Sequence, residues 1–302
     1  MEYLTIYILC YNRPDFARQA ILSVLGQTYQ AFKLIVSDQS RNDDVEHIVR
    51  GEFPEVCYIR RSSALKHLEH FNLCIQEATS DYYCLFHDDD IMSPDFVEVM
   101  SKCMLDFPTA AAIGCNGIIE RKGKPEPRTS FRSFRRYELI DTPRNIAERH
   151  FSRAQSGIAP FPSYIYNRRL AGDLRFQVEG GKYADVTLLL EIVQKGPIIW
   201  INQPLMTYRI HDNNVGNIES LRDRLRFFGY LKKFRPLFGE ELIKDYRYSF
   251  IYKKVLRAHS GNHSKRRQAA VSFLNNYRWT LYTRPSHYRA LVIRALVKWK
   301  AE

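Results

Sequence analysis

The sequence is short of the features that mark several large classes of protein. No stretch free of charged residues approaches the roughly 18 positions that a membrane-crossing helix needs, which sets aside an integral membrane bundle. The opening, Met1 to Phe16, carries an acid at its second position and an apolar run too brief for a secretory leader, so it reads as a first strand. Cysteine is sparse and scattered: Cys10, Cys57, Cys74, Cys84, Cys103 and Cys115 include no pair at a zinc or redox spacing. Without a leader there is no case for a disulfide framework, and free thiols in a reducing cytoplasm are expected. No repeat of fixed period and no low-complexity tract is present, which argues against solenoids and structureless linkers.

What is present is the composition of a globular protein, 45% hydrophobic and 26% charged over 302 residues, enough for one large domain or two smaller ones. The net charge of +12 is unevenly placed. Residues 1–214 hold 25 basic against 27 acidic side chains, whereas residues 215–302 hold 20 against 6. A near-neutral body over 1–214 and a basic region over 215–302 are therefore expected to have different tasks.

The most informative stretch runs from Asp81 to Asp95. Tyr82 to Phe86 has the apolar and aromatic pattern of a strand buried on both faces, and it ends in Asp88-Asp89-Asp90. Ser93 and Pro94 then offer an N-cap and a first helical residue. The acids are thus expected in a strand-to-helix loop at the carboxyl end of a strand, where open α/β sheets bind ligands. Adjacent carboxylates repel unless solvated or neutralised, and hard oxygen ligands on a short loop suit Mg2+ or Mn2+ beside a diphosphate. An acidic surface turn capping the next helix is the plain structural alternative.

Elsewhere, strand and helix patterns alternate. Leu4 to Cys10 reads as a strand, and Phe16, Ala20, Ile21, Val24 and Leu25 share a helical face. Lys33 to Ser37 is a strand ending at Asp38, Val45 to Val49 a short helix, and Val56 to Ile59 a third strand. Leu68, Phe71, Ile75 and Ala78 mark another helix, followed by the Tyr82 strand. This order indicates a mostly parallel, right-handed α/β sheet whose ligand-side loops carry Asn12, Arg13, Asp38 and the three aspartates. Further on come a helix over Phe96 to Leu105, a strand over Ala110 to Cys115, and a long basic surface loop over 121–136. Strands are expected over Phe161 to Tyr166, Pro197 to Ile201 and Pro204 to His211, with a buried helix starting near Asp185. After 215 only helices are expected. One carries the stripe Leu221, Leu225, Phe228, Leu231 and Phe234; others span Tyr246 to Leu256, Ala269 to Leu281 and Tyr288 to Trp299.

Four segments in this order, LTIYILCYNRPDFARQAILSVLGQTYQAFKLIVSDQS, HDDDIMSPDF, YADVTLLLEI and PLMTYRIHDNN, resemble the family 2 nucleotide-sugar glycosyltransferases, of the type that builds bacterial surface polysaccharide. The resemblance covers residues 3–214 and implies the GT-A fold, a Rossmann-like sheet flanked by helices. It implies that Tyr11, Asn12 and Arg13 line the nucleotide pocket, that Asp38 binds base or ribose, and that Asp88 approaches ribose or donor sugar. Asp89 would be the principal ligand of Mg2+ or Mn2+, with Asp90 supporting it or facing the donor sugar and His211 reaching the diphosphate or the metal. Asp185 would be the general base, with Glu179 the less favoured candidate. The chain departs from the family pattern at Gln39, His87 and Ala184, each where relatives often carry an acid.

The chemistry so implied is inverting transfer of a sugar, from a UDP-sugar by family frequency, to a hydroxyl of a glycan or lipid-linked acceptor. The alternatives are a non-catalytic nucleotide- or sugar-binding module and, less favoured, a nucleotidyltransferase. The latter usually needs a glycine-rich loop after its first strand, where this chain has Tyr11-Asn12-Arg13-Pro14-Asp15. For residues 215–302, packing on the body or on a second subunit competes with docking on an anionic membrane. Tyr288, Leu291, Val292, Ala295, Leu296 and Trp299 can share an apolar face flanked by Arg289, Arg294, Lys298 and Lys300. Nucleic-acid binding is the least favoured reading. A cytoplasmic protein peripheral to the inner face of the cell membrane is expected.

Overall fold

A computed structural model describes residues 3–151, 157–211, 221–239 and 242–243. The first apolar run forms strand β1 (Leu4–Cys10), buried throughout, and Pro14 opens helix α1 (Pro14–Leu25), where its fixed φ suits a first turn that needs no N–H donor. Then follow β2 (Lys33–Asp38), α2 (Asp44–Glu52), β3 (Cys57–Arg60), α3 (His67–Glu77) and β4 (Tyr82–His87). Beyond the three aspartates lie β5 (Ile91–Met92), α4 (Phe96–Asp106), β6 (Ala112–Arg121), β7 (Lys124–Thr129), β8 (Tyr137–Ile140) and α5 (Pro143–Phe151). The described remainder holds β9 (Ile165–Asn167), α6 (Arg168–Ala171), α7 (Ala184–Ile192), β10 (Ile198–Ile210), α8 (Leu221–Leu231) and α9 (Arg235–Phe238).

The ten strands of the described residues join one sheet in the order β3-β2-β1-β4-β9-β6-β10-β5, with β7 beside β6 and β8 beside β10. The half built from β1 to β4 is parallel, and Ile8 at its centre stands between Val36 and Phe86. The other half is mixed: β9 runs antiparallel to both β4 and β6, whereas β6 and β10 are parallel. Because successive side chains of a strand point to opposite faces, β1 serves two cores. Leu4, Ile6, Ile8 and Cys10 share one with Ala17, Ala20 and Ile21 of α1 and Phe96 and Met100 of α4. Tyr7 and Leu9 share the other with Cys74 and Ile75 of α3 and Leu188 to Leu190 of α7.

Several expectations are corrected by backbone chemistry. The basic stretch 121–136 is not one long loop. Lys122 and Gly123 both take positive φ, 52° and 75°, and close a tight hairpin between β6 and β7. The run Phe161 to Tyr166 is divided, because Pro162 has no N–H for a ladder; residues 161–163 form a 3-10 turn and the strand begins at Ile165. The two strands expected at 197–201 and 204–211 are one, with register shifts around Pro204 that accommodate the missing donor. In α8 the buried side chains are Arg224, Phe227, Tyr230 and Leu231, whereas Leu225 is 50% exposed, so the expected stripe keeps Leu231 and, just beyond, Phe234 but is rotated toward Phe227. Phe227 sets that rotation by seating its ring 5.0 Å from Tyr183, just ahead of α7. The helices expected over 246–256, 269–281 and 288–299, and the apolar face proposed for membrane contact, lie outside the described residues.

The six cysteines are free thiols, five buried and Cys57 exposed. Among the described residues no helix is long and apolar enough to cross a membrane.

One buried side chain ties the acidic loop to the body. Helix α4 begins at Phe96 instead of Pro94, and no side chain of its own segment caps it. Gln27, at the end of α1, accepts from the Val97 N–H at 2.9 Å and donates to the carbonyls of Ser93 at 2.7 Å and Ser23 at 3.0 Å. Gln27→Ala leaves an N–H and two carbonyls without this partner in a buried place and should cost about 2–3 kcal/mol. Urea unfolding should show a lower midpoint with an unchanged slope.

Candidate active site

The carboxyl ends of β1, β2 and β4 lie side by side and place Tyr11 to Arg13, Asp38 and Asp88 to Asp90 along one edge of the sheet. Asn12 takes a left-handed φ of 54°, which its short amide side chain tolerates. Its N–H donates to Ser40 Oγ at 2.7 Å, and its Oδ1 accepts from the Arg41 N–H at 2.8 Å. Asp38 is fully buried and well supplied with donors: Oδ1 accepts from the Ser40 N–H at 2.8 Å, and Oδ2 from Tyr58 Oη at 2.7 Å and Arg60 Nη1 at 3.2 Å. The Tyr11 ring meets the edge of His67 at 5.4 Å, and His67 Nδ1 lies 3.0 Å from Gln39 Nε2.

The three aspartates are almost completely buried and are satisfied from three directions. Asp88 accepts from the Tyr11 N–H at 2.9 Å and from Arg13 Nε at 3.3 Å, and Arg13 Nη2 adds a further ion pair. The same guanidinium reaches Asp89 Oδ2 through Nη1, and His211 Nε2 lies 3.0 Å from that oxygen. Asp90 Oδ1 accepts from the Arg209 N–H at 2.9 Å, while the Arg209 side chain donates to the Asp89 carbonyl. His211 stacks on Phe16 at 4.8 Å, and the Arg209 guanidinium lies 4.6 Å from the same ring.

Burial and charge divide the carboxyls. Burial pushes Asp88 up to about 7, although the Arg13 guanidinium pulls the other way. Burial and then the neighbouring Asp89 push Asp90 well above the carboxylate range. For Asp89 burial also acts upward, but His87, Arg13 and His211 together outweigh it and hold its carboxyl low. His87, closing β4, is pushed down to about 4, chiefly by burial with Asp89 acting the other way, so it carries charge only in the acid range where Asp89 itself titrates.

This donor set fits a hard divalent cation. Ligand atoms of His87, Asp89 and Asp90 lie within 4.8 Å of one another. His87 Nδ1 stands 4.0 Å from Asp89 Oδ1 and 3.9 Å from Asp90 Oδ2, too far for hydrogen bonds. Asp90 Oδ2 and His87 Nε2 are buried without a hydrogen-bond partner, an arrangement that calls for an explanation. His211 is not in this group; it meets Asp89 on its other oxygen.

Asp185 stands in the first turn of α7, apart from the aspartate triplet and joined to it by no hydrogen bond among those described. Burial pushes its carboxyl up to about 6, against the pull of the Val186 N–H and its own. The link is electrostatic: Tyr208, raised above its ordinary value first by burial, also feels Asp90, Asp89 and Asp185. Glu179 lies ahead of α7 in a 3-10 turn.

Sequence reasoning missed Arg209, Tyr58, Arg60 and His67. For Arg209 a signal existed, since it stands two residues before His211 on a strand, and period-two alternation puts both on one face. The other three have no local signal, being brought to Asp38 and Tyr11 by β3 and the start of α3.

Comparison with known proteins places the chain. Residues 5–171 match the model of glycosyl transferase family 2, and the chain belongs to this family. It is similar to the glycosyltransferase GlyA of Streptococcus pneumoniae, 22% identical over 224 residues, which are 71% of this chain and 32% of that protein. An uncharacterised glycosyltransferase of Rickettsia prowazekii is 29% identical over 100 residues, 32% of this chain and 30% of its own length. The chain thus spans about a third or less of the curated relatives it matches. Among solved structures, S. aureus TarS in complex with UDP-GlcNAc superposes with a TM-score of 0.60 at 13% identity, covering 95% of this chain and 79% of that one. The mannosyltransferase PcManGT from Pyrobaculum calidifontis, in complex with GDP-Man and Mn2+, gives a TM-score of 0.53 at 15% identity, covering 99% and 88%. The fold is GT-A.

Addition of Mn2+ should raise the melting temperature of the wild-type protein, since a ligand bound only by the folded state stabilises it. Asp89→Asn and Asp90→Asn should each remove most of that rise in a thermal-shift measurement.

Proposed function

We propose that this chain is a glycosyltransferase that moves a sugar from a nucleoside-diphosphate donor to an acceptor hydroxyl with inversion. The observation that carries the reading is the meeting of Tyr11 to Arg13 and the three aspartates at one sheet edge, with the half-buried Asp185 carboxyl, raised to about 6, near enough for Tyr208 to feel both it and Asp89 and Asp90. Tyr11, Asn12 and Arg13 border the nucleotide, Asp38 shapes its base end through Tyr58 and Arg60, and Asp88 lies toward the ribose. The solved relatives TarS and PcManGT bind UDP-GlcNAc and GDP-Man respectively, and a UDP-sugar is the donor proposed here.

His87, Asp89 and Asp90 would hold Mg2+ or Mn2+, with His211 supporting Asp89. When bound, such a cation neutralises charge on the diphosphate leaving group. The chain's own task is to take a proton. An acceptor hydroxyl is far too weak an acid to ionise at neutral pH, so Asp185 removes its proton as the new bond to the anomeric carbon forms. The lift of its carboxyl to about 6 makes it a stronger base than an ordinary aspartate while leaving it ionised at pH 7. A base on one side of the sugar and the leaving group on the other give one displacement and inverted configuration.

The acceptor proposed is a glycan or lipid-linked saccharide, and the basic region 215–302 would hold the enzyme against the inner face of the membrane. The part of that region described here belongs to the body's core, where Phe227, Tyr230, Leu231, Phe234 and Phe238 are buried together with residues of α7. The membrane contact is therefore assigned to residues 288–299.

Asp185→Asn should bind nucleotide-sugar as wild type does by calorimetry, yet turn over at least about 100-fold more slowly. The wild-type rate should fall as pH drops through about 6, and the variant should lack this limb; near-normal turnover in the variant would remove Asp185 from the mechanism. Stability gives a second readout. A carboxyl raised in the folded state contributes stability that is present below the unfolded pKa and lost as pH rises through about 6. The Asn variant should accordingly melt higher than wild type at pH 8, and this advantage should shrink toward pH 5.

A further inference from the structure

The acidic triplet already holds a cation of its own. The Arg13 guanidinium, at the residue that caps α1, spans Asp88 through Nε and Nη2 and Asp89 through Nη1. Three of its donor nitrogens are thus spent on two buried carboxylates, and its side chain is 24% exposed.

Two consequences of this bridge oppose each other. By fixing Asp89 Oδ2, Arg13 helps to turn Oδ1 toward His87 and Asp90, which favours a divalent cation there. By placing a full positive charge beside the same carboxylate, it repels that cation. A hydrogen bond that orients one ligand is worth roughly fivefold in affinity. A unit positive charge about 5 Å from a divalent cation, at an effective dielectric constant of ~20, is worth close to five orders of magnitude before screening by water and salt. Repulsion is the larger effect.

We infer that Arg13 is a built-in counter-ion that holds Asp88 and Asp89 in place without metal and weakens the affinity of His87, Asp89 and Asp90 for a divalent cation. The arrangement suits a site that engages metal chiefly together with an anionic diphosphate, whose charge offsets the guanidinium. The inference rests on the metal-assisted reading of the site given above.

The test is titration of the full chain with Mn2+ alone, reading free aqueous Mn2+ by its electron paramagnetic resonance signal, with melting curves recorded in parallel. Arg13→Gln keeps a hydrogen-bond donor and removes the charge; it should bind Mn2+ at least about tenfold more tightly than wild type. Without metal it should melt at a lower temperature, because buried Asp88 loses its cationic partner and keeps only the Tyr11 N–H, and Mn2+ should raise its melting temperature by more than it raises that of wild type. Arg13→Lys keeps the charge without the two-carboxylate bridge and should stay close to wild-type affinity, which separates charge from geometry. Wild-type binding with unchanged or weaker binding by folded Arg13→Gln overturns the inference and leaves the metal reading standing. Absence of specific Mn2+ binding in wild type and both variants, with Asp89→Asn as the blank, overturns both.

Discussion

The structure is organised around the cost of keeping three consecutive carboxyl groups out of water. Carboxylates at adjacent positions repel, and a dry surrounding strengthens that repulsion. Each is met by a partner from a different part of the chain: Asp88 by Tyr11 and Arg13 after β1, Asp89 by Arg13 and His211, and Asp90 by the backbone of β10. The elements that look peripheral to the site are those that deliver these partners. Helix α1 must begin at Pro14 so that Arg13 sits at its cap, and β10 must run its full length so that Arg209 and His211 arrive beside the loop.

The parallel half of the sheet was legible in the sequence because each of its elements carries a complete local signal. Leu4 to Cys10, Lys33 to Asp38 and Tyr82 to His87 are apolar runs closed by polar loops, and the helices between them show an apolar face at helical spacing. The loops at their carboxyl ends followed from that order alone. The second half was less legible because its strands depend on partners. Lys124 to Thr129 contains two prolines and few aliphatics, and it is a strand only because the Lys122-Gly123 turn lays it on β6. Tyr137 to Ile140 is held by β10, and β9 is three residues long.

The site divides in the same way. Residues next to each other in sequence, such as Asp88 to Asp90 or Tyr11 to Arg13, announce themselves. Tyr58 and Arg60 do not, because their link to Asp38 exists only once β3 lies beside β2. The role of Arg13 as a bridge was likewise unreadable, because its contacts with Asp88 and Asp89 exist only once β1 and β4 lie side by side. In α8, helical spacing found the element and placed Leu231 and Phe234 correctly but missed Phe227, whose partner Tyr183 is distant in sequence.

One strand sets the phase of the whole arrangement. β10 carries Trp200 in the core and, nine residues later, Arg209, with His211 directly past its end, and these last two flank the acids. Alternation along a strand is a parity rule, so adding or deleting a single residue between Met206 and Arg209 would turn Arg209 and His211 to the far surface of the sheet. The irregular pairing near Pro204 is then a place where parity is reset between an interior that answers to packing and an end that answers to charge. A change of length in this strand is therefore best accommodated at that joint, where the ladder already departs from regular pairing.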